Sequence, residues 1–170
     1  MNILEILKEP DPILRQKSTP VKKVDREIKK LMNNMLDTMY AAPGIGLAAV
    51  QVGILKRVVV IDISKEANKN EPICLVNPEI IWKSDILEKK QEGCLSIPDY
   101  FADIKRPNAC NVQYIDEHGK EKLLKAEGLL ATCIQHEIDH CNGILFIDYL
   151  SKLKKSFIVK KLIKAKKIQK

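Results

Sequence analysis

The sequence lacks several features that would place it in other classes of protein. No apolar run approaches the ~18 residues of a membrane-spanning helix, so we expect no membrane span. Residues 1–7 are too short and too acidic a stretch for a secretory signal or an Arg-rich transit peptide. The five cysteines form an odd set without paired spacing, which argues against a disulfide framework. These absences favour a protein that works in the reducing environment of the cytosol.

Histidine is scarce as well, yet two of the three histidines stand four residues apart. His136 and His140 flank Glu137 in the order His-Glu-Ile-Asp-His. Side chains four apart share one face of a helix, so two imidazoles can bind one metal ion while Glu137 carries protons beside them. Two histidines on a solvated helix face are the plainer alternative. The third, His118, falls in a predicted turn and receives no role.

A catalytic metal site of this kind usually has three protein ligands and a water, so a third ligand is needed. Downstream candidates are poor, because Phe146 occupies the position of a metzincin's third histidine and Glu137 is the last Glu of the chain. Asp148 remains an alternative. Upstream, Cys94 follows a predicted strand beside a flexible glycine, where a thiol can approach a metal that keeps it deprotonated. We favour Cys94, since the other cysteines lie in apolar helix or strand contexts.

The hydrophobic pattern changes from helical to strand-like and back along the chain. Apolar residues at helical spacing predict a helix over residues 25–42, with Asp25 as its N-cap. Further elements are predicted as a short helical turn at 10–15, strands at 57–63, 74–82, 86–91, 109–115 and 122–126, a surface loop at 64–72, a hairpin turn at 116–119, and helices at 129–141 and 151–167. Helices and strands do not alternate singly. We therefore predict an α+β fold, with antiparallel β-sheets around the central histidine-bearing helix, an N-terminal helix and a basic C-terminal helix.

Length and charge predict one domain with a basic end. The 170 residues show no internal repeat or linker. Residues 151–170 carry nine Lys and no acidic residue, so a net charge of +7 for the chain becomes −2 for residues 1–150. Binding to a polyanion is therefore assigned to the tail rather than to the whole surface. The tail also fits an amphipathic helix packed on the body, or a helix on an anionic membrane.

Three motifs stand out as a set. They are Gly-Ile-Gly-Leu-Ala-Ala-Val-Gln at residues 44–51, Glu-Gly-Cys-Leu-Ser at residues 92–96 and Gln-His-Glu-Ile-Asp-His at residues 135–140. In this order they resemble the three signature motifs of the peptide deformylase family. Shorter segments at residues 10–15, 77–79, 106–107 and 143–146 resemble family segments too, so the likeness covers residues 3–155.

The resemblance implies removal of the formyl group from the N-terminal formyl-methionine of nascent polypeptides. It implies Cys94, His136 and His140 as ligands of one divalent metal per chain. Fe(II) is implied as the physiological ion, with Zn(II), Ni(II) or Co(II) able to occupy the site. Glu137 would take a proton from metal-activated water and later give it to the departing amine.

Further site residues follow from the same resemblance. The Gln51 side-chain amide and the Leu95 backbone N–H are implied as donors to the oxyanion. The segment of Gly44, Ile45 and Gly46 is implied to line the cleft and pair with an extended peptide, and it lacks the Lys-Ser/Thr of a phosphate loop. The methionine pocket is expected near Ile45, Leu129, Thr132, Cys133 and His136, with Thr132 more polar than the usual aliphatic residue. Glu92 and Asp139 are expected to orient a loop or an imidazole, with Arg106 as an ion-pair partner of Glu92.

Domain limits and partners complete these expectations. We expect a catalytic domain over residues 1–150 and a basic C-terminal helix over 151–170 that belongs to the same domain. The resemblance implies that this helix docks on the ribosome through phosphate contacts, and that the protein is a monomer of the bacterial cytosol, with an organellar origin left open. A zinc endopeptidase and a non-catalytic ribosome or nucleic-acid binder are the competing classes. The first lacks its downstream ligand, and the second needs neither Glu137 nor Gln51.

Overall fold

The computed structural model describes residues 2–64 and 69–168. Three α-helices lie within those residues: α1 (Arg26–Ala41), α2 (Gly128–Cys141) and α3 (Lys152–Ile168). The strands are β1 (Gly46–Ala48), β2 (Val58–Ile61), β3 (Ile73–Lys83), β4 (Leu87–Cys94), β5 (Ile97–Pro107), β6 (Ala109–Ile115) and β7 (Glu121–Glu127). Short 3-10 helices are η1 (Pro12–Arg15), η2 (Ala49–Val52) and η3 (Phe146–Tyr149).

All strand pairs named here are antiparallel, in two sheets. The larger sheet has the order β1-β2-β3-β6-β7, and β4 pairs with β5 in a separate two-stranded sheet. The predicted α+β class with antiparallel sheets is therefore confirmed, as are strands near residues 57–63, 74–82, 109–115 and 122–126. Of the predicted loop at 64–72, residues 65–68 lie outside the described residues.

The larger sheet lies between α1 and α2. Val59 and Ile61 of β2 pack in one apolar cluster with the buried side of α2, while Val58 and Val60 pack in another with α1. Successive side chains of a strand point to opposite faces, so a strand covered on both sides has no polar face. This explains why the sequence of β2 is an unbroken run of β-branched residues.

Helix α1 begins where the sequence predicts it. The Asp25 side chain caps the helix by accepting a 2.9 Å hydrogen bond from the Ile28 N–H. Its buried residues recur every three or four positions and face the sheet: Ile28, Leu31, Met32, Met35, Thr38 and Met39. The Met-rich stripe is therefore core.

Two parts of the smaller sheet differ from the predictions. Strand β5 was not predicted, because one of its buried positions is the charged Arg106 and its exposed positions include the aromatic Phe101. The strand predicted to end at residue 91 continues to Cys94, through a register shift between Glu92 and Cys94. Charged residues along β4 obscure the alternation of apolar and polar residues that marks a strand in a sequence. Cys94 is thus the last residue of a strand rather than a loop residue.

Helix α2 ends at a position that requires glycine. Gly143 has φ 75°, and a Cβ there would stand 2.5 Å from the carbonyl oxygen of Arg15. The predicted stop at Asn142-Gly143 is confirmed, with Asn142 as C-cap. Because the chain turns sharply at this point, η3 folds back beside the helix that carries the histidines.

Helix α3 follows η3 and packs on the smaller sheet. Ile158 and Leu162 form one apolar cluster with Ile97 and Ile104 of β5 and with Phe146 of η3. This confirms the predicted helix at 151–167 and shows it packed against the body. Among the described residues, no helix combines the length and apolarity that crossing a membrane requires.

Candidate metal centre and active site

Three side chains from two elements converge on one point. His136 and His140 project from consecutive turns of α2, and Cys94 reaches them from the end of β4. His140 Nε2 lies 3.2 Å from His136 Nε2 and 3.3 Å from Cys94 Sγ. The three donor atoms all lie within 4.8 Å of one another. One thiol and two imidazoles this close are a donor set that fits a single transition-metal ion.

The His136 ring is held from behind by a buried ion-pair network. Glu92 Oε1 lies 2.9 Å from His136 Nδ1, which leaves Nε2 for the metal. Arg106 donates hydrogen bonds to both oxygens of the same carboxylate, at 2.6 and 3.0 Å, and to Asp139 Oδ2 at 2.8 Å. Burial alone would raise the pKa of Glu92, but hydrogen bonds from His136 and Arg106 lower it below its usual value. The expected ion pair between Arg106 and Glu92 is present, and Asp139 contacts that arginine rather than an imidazole.

Glu137 is buried beside the two histidines. It is 4% exposed, and no described residue forms a hydrogen bond with its Oε2. Burial raises the pKa of Glu137 to about 7, against an opposing effect of His136. A carboxyl group with such a pKa can both accept and donate a proton near neutral pH.

Gln51 lies on η2, next to the cysteine. Its Oε1 accepts a 2.9 Å hydrogen bond from the Ala48 N–H, and its Nε2 donates to Ser96 Oγ at 3.1 Å. The same Nε2 lies 3.6 Å from Cys94 Sγ. Because both ends of the amide are held, its N–H donors stay next to the metal ligands.

A cavity of about 430 Å³ opens onto this centre. Its lining includes every substrate-contacting residue proposed from the sequence: Gly44, Ile45, Gly46, Leu129, Thr132 and Cys133. Glu137, His136, Cys94, Gln51 and Leu95 line it as well. The Thr132 hydroxyl donates to the Gly128 carbonyl at 3.2 Å, so its polar atom has a partner within the helix. A mostly apolar cavity with a few convergent polar groups is typical of a ligand site.

Known proteins are similar to this chain over nearly its whole length. The model of the polypeptide deformylase family matches residues 3–156. A peptide deformylase of Pelagibacter ubique is 62% identical over 166 residues, which cover 98% of this chain and 96% of that protein. One of Rhizobium meliloti is 52% identical and covers 98% and 96%. The crystal structure of peptide deformylase from Ehrlichia chaffeensis has a TM-score of 0.94 at 44% identity and covers 99% of both chains.

The chain belongs to the polypeptide deformylase family. It is a hydrolase that removes the formyl group from the N-terminus of formylated polypeptides and releases formate. Cys94, His136 and His140 form the metal site that is typical of deformylases. The Asp148 alternative is wrong: its carboxylate lies in a separate network, where Arg15 and Lys155 each contact it at 2.6 Å.

Sequence reading missed several residues around the deformylase site. Phe101 lines the cavity and lies so near Gly93 that a Cβ there would meet the ring at 2.6 Å. Ser96 holds Gln51, as described above. The N-terminal segment also reaches the site, because the Glu9 N–H donates to the Ser96 carbonyl at 2.9 Å. No local pattern indicates these contacts, since each depends on how strands and other segments come together in the fold.

Proposed function

We propose that Fe(II) is the ion held by Cys94, His136 and His140 in the cell, and that Zn(II), Ni(II) or Co(II) can replace it in purified protein. The support is the donor set, because one thiolate and two imidazoles suit each of these ions. When bound, such an ion polarises the formyl group and lowers the pKa of water. Metal analysis of protein purified without oxygen tests the identity of the ion. One zinc per chain, with less iron than zinc, would contradict the proposal.

Glu137 carries the proton in this proposal. Its carboxylate takes a proton from water as the water oxygen attacks the formyl carbon. It then returns that proton to the peptide nitrogen as the C–N bond breaks, which leaves formate and a free amine. Two observations support this use: the pKa of about 7, and an Oε2 without a described hydrogen-bond partner.

Gln51 and Leu95 stabilise the negative charge that develops on the formyl oxygen. The Gln51 amide is fixed before substrate binds, since Ala48 and Ser96 hold its two ends. Donors fixed in advance need no reorganisation during the reaction, which makes them effective in a buried site. Leu95 follows the cysteine ligand directly, so its backbone N–H is carried on the same short segment.

The substrate enters as an extended peptide. The segment of Gly44–Gly46 includes the start of β1, which forms an edge of the larger sheet, so its backbone is available to pair with another chain. The methionine side chain fills the apolar part of the cavity, against Leu129, Thr132 and Cys133. Glu92, Arg106 and Asp139 serve by holding His136.

The catalytic domain spans residues 1–150. The basic C-terminal segment of residues 151–170, which contains α3, belongs to the same domain and docks on the ribosome. Ile158 and Leu162 pack inward, while Leu153 and Phe157 stay 82% and 58% exposed among lysines. Such a surface suits phosphate groups. Deletion after Ser151 should weaken co-sedimentation with ribosomes in a salt-dependent way. Ribosome binding that the deletion leaves unchanged would contradict the assignment. Binding of the basic helix to anionic vesicles in place of ribosomes would contradict it too.

The protein is further proposed to act as a monomer in the bacterial cytosol, where nascent chains emerge. Light scattering of the purified protein tests the first point, and a mass of two chains would contradict it. The roles of the site residues rest above all on one observation: Cys94, His136 and Glu137 line the same cavity as Gly44–Gly46, and His140 Nε2 lies 3.3 Å from Cys94 Sγ. Formate release from formyl-Met-Ala-Ser by the Fe(II) protein is the direct test. No release at full metal content would overturn them.

A further inference from the structure

Two aromatic side chains of η3 lie against the metal-ligand network. The Phe146 ring stacks on the His136 ring, with centroids 6.2 Å apart and planes 26° apart. The Tyr149 hydroxyl donates a 2.7 Å hydrogen bond to Asp139 Oδ2. Phe146 occupies the position where a metzincin has its third ligand, so here that position contacts a ligand ring instead of the metal.

Tyr149 is joined to His136 by an unbroken series of polar contacts. Asp139 Oδ2 also accepts from Arg106 Nη1 at 2.8 Å. Arg106 in turn holds both oxygens of Glu92, at 2.6 and 3.0 Å, and Glu92 Oε1 lies 2.9 Å from His136 Nδ1. The Tyr149 ring lies under the guanidinium as well, with Arg106 Cζ 4.8 Å from the ring centroid.

Arg106 is shared between two carboxylates, so its position depends on both. It is 5% exposed, and a buried charge keeps its geometry only while its partners are fixed. Tyr149 fixes the Asp139 side of the pair, because its hydroxyl donates to the carboxylate and its ring supports the face of the guanidinium. Burial and the hydrogen bond to Asp139 raise the pKa of Tyr149 to about 12, so the hydroxyl keeps its proton at neutral pH.

We propose that Tyr149 is a positioning residue of the metal centre. Its hydroxyl and ring hold Asp139 and Arg106, and through them the Glu92 carboxylate that orients His136. The inference rests on the proposed use of His136 as a ligand. It assigns to η3, the segment between the ligand helix and the basic helix, a function in holding the metal.

The test compares Tyr149→Phe with Tyr40→Phe in Co(II)-loaded protein. Tyr40 is a matched control, since its hydroxyl donates a 2.6 Å hydrogen bond to Asp62 outside this network. Release of Co(II) to excess chelator is followed by the visible absorption of the protein-bound Co(II). Thermal unfolding of the metal-free variants is measured by circular dichroism. We expect Tyr149→Phe to release the ion about three to ten times faster, below the effect of removing a direct partner of a ligand. Tyr40→Phe should release it at the wild-type rate.

Three outcomes would overturn the proposal. Release from Tyr149→Phe could equal wild type, or Tyr40→Phe could release the ion as fast as Tyr149→Phe. In a double-mutant cycle, Tyr149→Phe could also accelerate release further in a protein that already carries Asp139→Ala, which has no side-chain acceptor for the hydroxyl; this would show that Tyr149 does not act through Asp139. If wild-type protein itself fails to retain Co(II), the ligand assignment fails together with this inference.

In deformylation, Tyr149→Phe should show a lower kcat with unchanged KM, because Tyr149 does not line the substrate cavity.

Discussion

Gln51 and Ser96 are joined by a 3.1 Å hydrogen bond in which the amide Nε2 donates to a fully buried hydroxyl. The contact links two of the three family motifs. It leaves the other Nε2 hydrogen next to Cys94, with Nε2 3.6 Å from the Cys94 Sγ. The geometry of the amide therefore depends on a residue that never needs to touch the substrate.

Replacement of Gln51 by Ala should lower kcat/KM by roughly 100- to 1,000-fold, the loss typical of one oxyanion donor. Metal content should stay at the wild-type value, because the amide is not a ligand. Ser96→Ala should lower kcat by a smaller factor, since the amide remains but loses one of its two anchors. Steady-state kinetics beside metal analysis measure both effects. Equal activity of Gln51→Ala and wild type would exclude Gln51 as a donor.

Glu137→Gln keeps the size of the side chain and removes its ability to carry a proton. We expect kcat to fall by roughly 100- to 10,000-fold, the usual contribution of a general base. Metal should be retained, because Glu137 is not among the three converging donors. Formate release and metal content are measured on the same sample. Retained turnover in a fully loaded variant would contradict the assigned proton transfer.

Local and distant parts of the site differ in how far the sequence predicted them. The pair of His136 and His140 was predictable, because spacing on one helix fixes their separation. The approach of Cys94 depends on the pairing of β4 with β5, a strand whose buried Arg106 conceals it, so spacing alone left Asp148 open. Contacts such as those of Phe101 arise only when the smaller sheet has formed. No local periodicity records them.

Gly46 is the glycine at which a side chain would press on Glu137. A Cβ there would collide with Glu137 Oε1 and stand 2.9 Å from Cys133 Sγ. Gly46→Ala should therefore displace Glu137 and lower kcat/KM by about 100-fold, as expected for a misplacement of about 1 Å. Gly44→Ala is the matched comparison, because the atom it meets is the Leu95 side-chain tip at 2.7 Å, which can move. Similar losses in both variants would contradict this account.

Asp148 should stabilise the fold in a pH-dependent way. Burial alone would raise the pKa of Asp148, but hydrogen bonds from Lys155 and the Leu145 N–H, together with the Arg15 guanidinium, lower it below its usual value. A carboxyl group with a lowered pKa stabilises the folded state above its unfolded pKa of about 3.9, and this effect is lost as pH falls through the folded pKa. Urea unfolding of metal-free wild type and Asp148→Asn should differ most near about pH 6 and converge in acid. A difference that is independent of pH would contradict the charge explanation.

The five thiols should differ sharply in reactivity once metal is removed. Only the thiolate reacts with iodoacetamide, and burial raises the pKa of Cys74 to about 11 and that of Cys141 to about 12. At about pH 8, roughly one Cys141 side chain in ten thousand is a thiolate. Cys94 is the one cysteine that is not buried, and it lines the cavity. Mass spectrometry of metal-free protein should find alkylation first at Cys94, and adding Zn(II) should suppress it there while leaving the slow labelling of Cys141 unchanged. Labelling of Cys94 that zinc does not slow would show that its thiol is not a ligand, because a metal-bound thiolate has its nucleophilic electron pair engaged.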